Sequence, residues 1–374
     1  MKLNDLLAGT QSLANTKTAP YQEVDAVAAV SEWLNQLNIQ NETDKYGNLM
    51  CRVRKGMPRR TVAFITHLDR PALRATSVKA AAVQVNAEGP IPGNGFKSAK
   101  LVFPKTKEGE IKATVGSSKG NGRTESASLK APAKGPFPEA GDFATFDIEG
   151  FSRKENKLKG GGLSVGTSVA AIIAALADLS DGSSPVDAYA VFTRSRHADA
   201  GGAVALSVDF PMPRDTILLA VDAVPENGEV KRGGGPVVLM GDTQGPFDPR
   251  ATAVLLGAAA EIKGKKFDYQ RGAALDSQLL PSVFLAFGFS AGGVAIPTAN
   301  HLCFGPRGVA PEEQDLRDVQ NVVELCCGAA VRASAGGDDL EQRRNGLIMS
   351  SSEGRDRLRE PIDPVTGYPT GARF

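Results

Sequence analysis

The chain of 374 residues has three histidines, and each follows a short apolar run of strand character. His67 follows VAFIT, His197 follows YAVFTRSR and His301 follows GGVAIPTAN, while Asp222 closes a fourth run, ILLAV. Open α/β sheets bind ligands at the carboxyl ends of such strands. Three imidazoles and a carboxylate delivered there offer what a catalytic divalent ion needs, about three protein donors and an open position. Asp69 stands two residues after His67, on the same side of an extended backbone. One of this pair can bind an ion while the other orients it. For each residue taken singly, a plain polar network is the alternative.

The elements that must position these residues alternate between strand and helix. Tyr21 to Leu37 carries apolar residues at Val24, Val27, Ala28, Trp33, Leu34 and Leu37, an amphipathic helix introduced by Pro20. The glycine turn and apolar stretch GGGLSVGTSVAAIIAALADL predicts a helix buried against a sheet. Strand-like runs follow at Tyr189–Thr193, Ile217–Val221, Val237–Met240 and Gly293–Ile296, with helices at Ala251–Ile262 and Asp315–Val331. Alternation of this kind predicts a mostly parallel sheet flanked by helices. From about residue 71 to 148 the texture differs: AVQVNAEGP, KLVFP, GEIKATVG and FATFDIEG are short alternating segments broken by Gly, Pro and Lys. That pattern predicts a small all-β, barrel-like module inserted into the α/β domain, which takes residues 1–70 and 149–332. Residues 333–374 read as a polar tail, a surface arm or a disordered segment.

Composition narrows the function classes. A formal net charge of +1 gives no basis for a nucleic-acid or anionic-membrane partner. The opening residues mix Leu with Asn, Asp, Gln and Lys, so they lack the apolar core of a signal peptide. No apolar run in the sequence is expected to approach membrane-spanning length. Cys51, Cys303, Cys326 and Cys327 have no metal-finger spacing, and a reduced, cytoplasmic protein is expected.

The order and spacing of DKYGN, THLDRP, AGDFATFDIEG, VFTRSRHADAGGA, AVDAVPENGE and IPTANH resemble the cytosolic dinuclear-metal aminopeptidases that assemble into tetrahedral dodecamers, the deblocking and glutamyl group. The resemblance covers residues 1 to about 332. It implies a zinc-exopeptidase-like fold, a small-molecule or short-peptide substrate and a homo-oligomer. His67 matches that family's first-metal histidine, Asp69 the carboxylate that orients it, Asp222 the first-metal carboxylate and His301 the second-metal histidine. Three positions depart from the pattern. Gly162 stands where the family has its bridging aspartate, and Arg196 and His197 stand where it has a general-base glutamate and a second-metal glutamate.

Charge decides what such a site tolerates. With the histidines neutral, Asp222 and Arg196 cancel, so two divalent ions would leave about +4 in one pocket and a single ion about +2. The expectation is one Zn²⁺, Mn²⁺ or Fe²⁺ held by three or four of His67, His197, Asp222 and His301; the ligand types do not choose among these metals. Arg196 does not lose its proton in proteins, so its role would be to bind a carboxylate or a developing oxyanion. Asp69 is the nearest candidate proton acceptor, with Asp199 and Glu226 further off. The first functional expectation is therefore a metal-dependent hydrolase of an amide or related C–N bond. The alternative is an inactive homologue that binds or scaffolds. An ordinary dinuclear aminopeptidase would need carboxylates from elsewhere to replace those lost at Gly162 and Arg196.

Overall fold

The computed structural model describes the chain apart from residues 80–81, 94–95, 97, 133–135, 263–266, 337–338, 360–363 and 366–374. Helices α1 (Leu3–Asn15) and α2 (Val24–Gln36) lead into strands β1 (Asn41–Thr43), β2 (Leu49–Lys55) and β3 (Val62–His67). A closed six-stranded antiparallel barrel follows: β4 (Ala72–Lys79), β5 (Ala82–Glu88), β6 (Lys100–Thr106), β7 (Gly109–Lys119), β8 (Ser126–Lys130) and β9 (Phe143–Phe146). The chain returns through the hairpin β10 (Ser152–Lys154) and β11 (Lys157–Gly160) to α3 (Leu163–Asp181), β12 (Val186–Thr193), α4 (Gly201–Val208) and β13 (Ile217–Pro225). Next come β14 (Val237–Asp242), β15 (Gly245–Pro246), α5 (Pro249–Glu261), β16 (Gln270–Ala274), α6 (Leu280–Ala286) and β17 (Ala291–Thr298). The short strands β18 (Phe304–Gly305), β19 (Gly308–Val309) and β20 (Glu312–Asp315) precede α7 (Leu316–Ser334), α8 (Asp339–Ser350) and α9 (Ser352–Arg357).

The main sheet has nine strands in the order β1-β2-β12-β3-β13-β17-β14-β15, with β16 beside β14. Its centre, β12, β3, β13 and β17, is parallel, and β2 and β14 run antiparallel on either side. The sheet is thus mixed and flanked by helices: its centre is parallel as the alternation predicts, while the strands on either side of that centre bring in antiparallel pairs that the alternation does not encode. Every residue of β3 and β17 is buried, which explains why these strands read as apolar runs and not as alternating ones. Parallel neighbours bring their carboxyl ends to one edge, so His67, Asp222 and the residues after β12 and β17 emerge together.

Helix α3 is buried almost all round, packed between the sheet and helices α1 and α7. Contrary to the expectation from sequence, it is long and apolar enough to cross a membrane, yet 89% of its most apolar window lies inside the fold. Helix α7 instead buries one stripe, with Val319, Val322, Val323, Cys326, Ala329, Ala330 and Ala333 spaced by three or four residues. Asp315 caps it by accepting the Arg317 N–H at 2.9 Å. The barrel closes around its own core of Val83, Val85, Leu101, Phe103, Ile111, Val115 and Leu129. Truncating a core ring such as Phe103 to Ala would cost about 3–5 kcal/mol. Part of the polar tail is helical: its Leu, Glu, Gln and Arg content favours helix once the chain leaves α7. The last residues of that tail lie outside the described residues.

Candidate active site

A cleft of about 670 Å³ lies where the parallel strand ends meet the barrel, and His67, Arg196, His197, Asp199, Asp222 and His301 all line it. The four candidate ligands and Arg196, which come from four distant sequence segments, therefore share one pocket wall, and Asp69 lies just behind it. The barrel reaches the cleft at Gly89, whose φ is +103°; a β-carbon there would sit 3.0 Å from the His197 β-carbon. Glycine is required by both the backbone conformation and the close approach.

His67 ends β3 and is held from both sides. Its Nδ1 lies 3.0 Å from the Asp69 carbonyl oxygen and 3.6 Å from the Asp69 carboxylate, and its Nε2 lies 3.5 Å from Asp222 Oδ1. Burial opposes a charge on His67, but the hydrogen bonds to Asp222 and Asp69 outweigh it and raise its pKa to about 9. In Asp222 the same partner prevails over burial and lowers the carboxyl to about 2. At neutral pH, without metal, these two groups form an imidazolium–carboxylate pair.

Asp69 is fully buried, and its carboxylate accepts the main-chain N–H groups of Arg196 at 2.7 Å and His197 at 2.8 Å. Burial is countered by His67 and by these N–H groups, which hold Asp69 well below the usual carboxylate range. A carboxylate engaged in this way works as an anchor for two segments of the cleft wall. A second buried carboxylate, Glu23, fixes the same loop: it accepts the Ser195 N–H and the Arg194 guanidinium, both at 2.8 Å. Ser195, Asp199 and Ala200 all have positive φ, as do Asn300, Leu302 and Cys303 around His301. Left-handed non-glycine residues concentrate where a fold holds a site under strain, and both strained loops here carry a histidine.

The other two imidazoles are neutral. Burial pushes His197 down to about 3, with repulsion from His67 and Arg196 adding to it, and burial lowers His301 as well. The His197 ring stands edge-on to His67, with centroids 5.2 Å apart. Both ring nitrogens of His197 and the Nδ1 of His301 are sealed from solvent without a hydrogen-bond partner. Buried imidazole nitrogens normally find a partner, so these orphans suit a bound cation. Among the described residues, however, no group of three or more His, Cys, Asp and Glu side chains converges closely enough to form a finished cage. Only the facing pair His67 and Asp222 is preformed.

Besides Glu23, three structural residues carry no candidate role in the sequence reading. Glu312, which opens β20 opposite Gly160, bonds the Ser164 N–H at 2.9 Å, the Ser164 hydroxyl and the Leu302 N–H at 2.9 Å, joining the start of α3 to the His301 loop. Arg70, within THLDRP, packs its guanidinium against Gly162 and donates to the carbonyls of Gly161, Leu13 and Ala14. Gln278 receives the Arg196 guanidinium on its carbonyl oxygen. Glu312 and Gln278 have no sequence signal beyond their polarity; Arg70 had one in its motif.

The buried mixed sheet with its inserted closed barrel matches the fold of solved TET-type aminopeptidases, to which this chain is similar. An aminopeptidase from the archaeon Desulfurococcus kamchatkensis superposes with a TM-score of 0.75 at 18% identity, over 89% of this chain and 96% of that one. A TET aminopeptidase from a marine-sediment Thaumarchaeota archaeon gives 0.75 at 15% identity, covering 89% and 99%. The TET1 peptidase of Pyrococcus horikoshii, which assembles into a tetrahedron or a large octahedral shell, gives 0.71 at 18% identity, covering 87% and 99%. No protein-family model matches the sequence, and no curated protein matches it.

Proposed function

We propose that this chain is a metal-dependent hydrolase of an amide or peptide bond, working with one divalent ion, and that its copies assemble into a homo-oligomer. The observation that carries the reading is the pair His67 and Asp222, facing each other at 3.5 Å with His67 Nδ1 tied to Asp69 and with partnerless imidazole nitrogens in the same cleft. His67 and Asp222 would hold the ion, with His197 and His301 as the further donors. When bound, such an ion supplies a water of lowered pKa and polarises the substrate carbonyl. The bridge position does not fit a second ion, because a guanidinium fills the space beside Gly162.

The chain's own residues divide the remaining work. Asp69 orients His67 and pins the Arg196–His197 backbone. Arg196, fixed on the Gln278 carbonyl and lining the cleft, would bind a substrate carboxylate or the oxyanion that forms during attack. Of the carboxylates considered for proton transfer, Asp69 is spent on N–H groups and Glu226 is paired with Arg232, whereas Asp199 is exposed in the cleft. Asp199 is therefore assigned as the proton acceptor. The homo-oligomer follows the assembled TET neighbours and rests on fold likeness alone.

A second reading is a binding homologue without turnover. It is favoured by the arginine at position 196 and by Arg70 packed against Gly162. Elemental analysis of the purified chain, with an amide-substrate screen, separates the two. Near one equivalent of transition metal with turnover supports the hydrolase; a metal-free chain after incubation with zinc and manganese supports the binder.

A further inference from the structure

Helices α1 and α2 pack side by side and leave a groove of about 520 Å³ that shares no residue with the cleft. Part of its lining is apolar: the half-buried Trp33 ring lies so close to Gly9 that a β-carbon there would have no room, and Leu13 and Leu37 extend the surface. Two exposed acids, Asp5 and Glu32, line it as well, and no basic residue does. Among the described residues neither acid has an ion-pair partner; Glu32 takes one long bond from Gln36, at 3.5 Å.

The end of the described chain carries the complementary surface. Leu347, Ile348 and Met349 on α8 and Leu358 just after α9 are each at least 45% exposed. Residues 343–359 hold five arginines against two acids, Glu353 and Asp356. Residues four apart share a helix face, so Arg343 lies one turn, about 5.4 Å, before Leu347. An apolar helix face with basic charge one turn away is what an apolar groove flanked by acids accepts. Exposed clusters of large apolar side chains mark interaction sites, and each one buried contributes about 1.5–3 kcal/mol.

Groove and tail of one copy do not meet. Helix α2 packs on α1, α1 on α3, α3 on α7, α7 on α5 and α5 on α8, so the groove and α8 stand at opposite ends of this series. The family resemblance also stops near residue 332, before α8 begins. We propose that α8 docks in the α1–α2 groove of a second copy of this chain, with Leu347 and Ile348 against Trp33 and Leu37 and with Arg343 facing Asp5 and Glu32. Such a contact is head-to-tail, and it closes into a ring or runs on as a filament. The inference rests on the homo-oligomer proposed for this chain and supplies a contact for it.

The test uses full chains. One carries Ser12→Cys in the groove and the other Ser350→Cys at the end of α8, both at exposed positions. The two are co-expressed, purified and treated with a short bismaleimide, so that a link between the new cysteines joins separate copies. A linked pair that neither variant gives alone is expected, with its yield at least tenfold lower when Ile348→Asp or Glu32→Arg is added. Arg343→Glu should lower the yield too, and Glu32→Arg with Arg343→Glu should recover part of it, a response that loss of folding would not give. No link in a protein that sediments as an oligomer overturns the tail contact and leaves the homo-oligomer standing. A chain that sediments as a monomer at every concentration overturns both. Cosedimentation with vesicles of phosphatidylcholine and phosphatidylserine in equal parts, abolished by Ile348→Asp and without a link, assigns the same face to a membrane surface and also overturns the contact.

Discussion

The guanidinium of Arg70 occupies the space that any side chain at position 162 would need; a β-carbon built on Gly162 would overlap Cζ and both terminal nitrogens of Arg70. Gly162 also has a φ of +82° at the N-cap of α3. A carboxylate at 162 therefore meets two obstacles, a left-handed backbone worth about 1–2 kcal/mol and an overpacked neighbour worth about 1–3 kcal/mol. Gly162→Asp should lower stability by about 2–5 kcal/mol in urea denaturation. Arg70→Ala combined with Gly162→Asp should recover part of that loss, because only the overlap is relieved. Additive losses in the double variant would show that Arg70 does not block position 162.

Removing the carboxylate charge beside His67 while keeping the side chain's shape tests the metal reading. Asp69→Asn retains one acceptor for the N–H groups of Arg196 and His197 and the main-chain carbonyl that bonds His67 Nδ1, but it removes the negative charge 3.6 Å from that nitrogen. Metal affinity should fall about 10–100-fold, the usual cost of losing an outer partner of a ligand histidine. His67→Ala and His301→Ala should each remove bound metal, measured as equivalents per chain. Unchanged metal content in both alanine variants would sink the site.

The strands were legible in sequence because burial on both faces turns β3, β13 and β17 into continuous apolar runs that end in polar residues. The sequence signal for α7 was equally plain, since its valines repeat at helical spacing. Helix α1 was not read as an element, because Leu3, Leu6, Leu7 and Leu13 are interleaved with Asn, Asp, Gln and Thr and its capping residue, Lys2, makes no side-chain cap. In the candidate site, the histidines and Asp222 stand out in the sequence because their residue types are rare or sit at strand ends. Glu23, Glu312 and Arg70 act through main-chain groups far away in sequence, a kind of contact that local pattern does not encode.

Glu23 supplies a stability prediction that also reaches the cleft. Its buried carboxylate receives the Arg194 guanidinium and the N–H groups of Ser195 and Tyr21. Glu23→Gln leaves the Arg194 charge without its partner and should cost about 3 kcal/mol. Because Ser195 precedes Arg196, faster hydrogen exchange at residues 194–200 is expected in the variant. Exchange unchanged in that loop would mean that Asp69 alone holds it.

Asp187 gives the acid limb of stability. Arg52 binds it in a two-pronged pair at 2.7 and 2.8 Å, and Thr61 donates a third bond at 3.0 Å. Burial pushes this carboxyl up, but the Arg52 and Thr61 bonds prevail and hold it below its ordinary 3.8. A carboxyl lowered by folding stabilises the protein above its unfolded value, and that contribution is lost as pH falls through the folded value. Denaturation midpoints of the wild type should therefore drop more steeply on acidification below pH 4 than those of Asp187→Asn. Parallel curves for the two proteins would remove Asp187 from the account.

Arg196 separates a working charge from a relic. Its main-chain N–H is held by Asp69 and its side chain by the Gln278 carbonyl, so Arg196→Ala keeps the loop anchored and removes only the guanidinium from the cleft. If that group stabilises an oxyanion, kcat on an accepted amide substrate should fall about 10²–10³-fold with metal content unchanged. Arg196→Glu goes further, changing the cleft's charge by two units towards negative. A divalent ion should then bind more tightly, since the repulsion it meets becomes attraction. Equal metal affinity in wild type and Arg196→Glu, measured by competition with a chelating dye, would place the guanidinium too far from the His67–Asp222 pair to govern the ion.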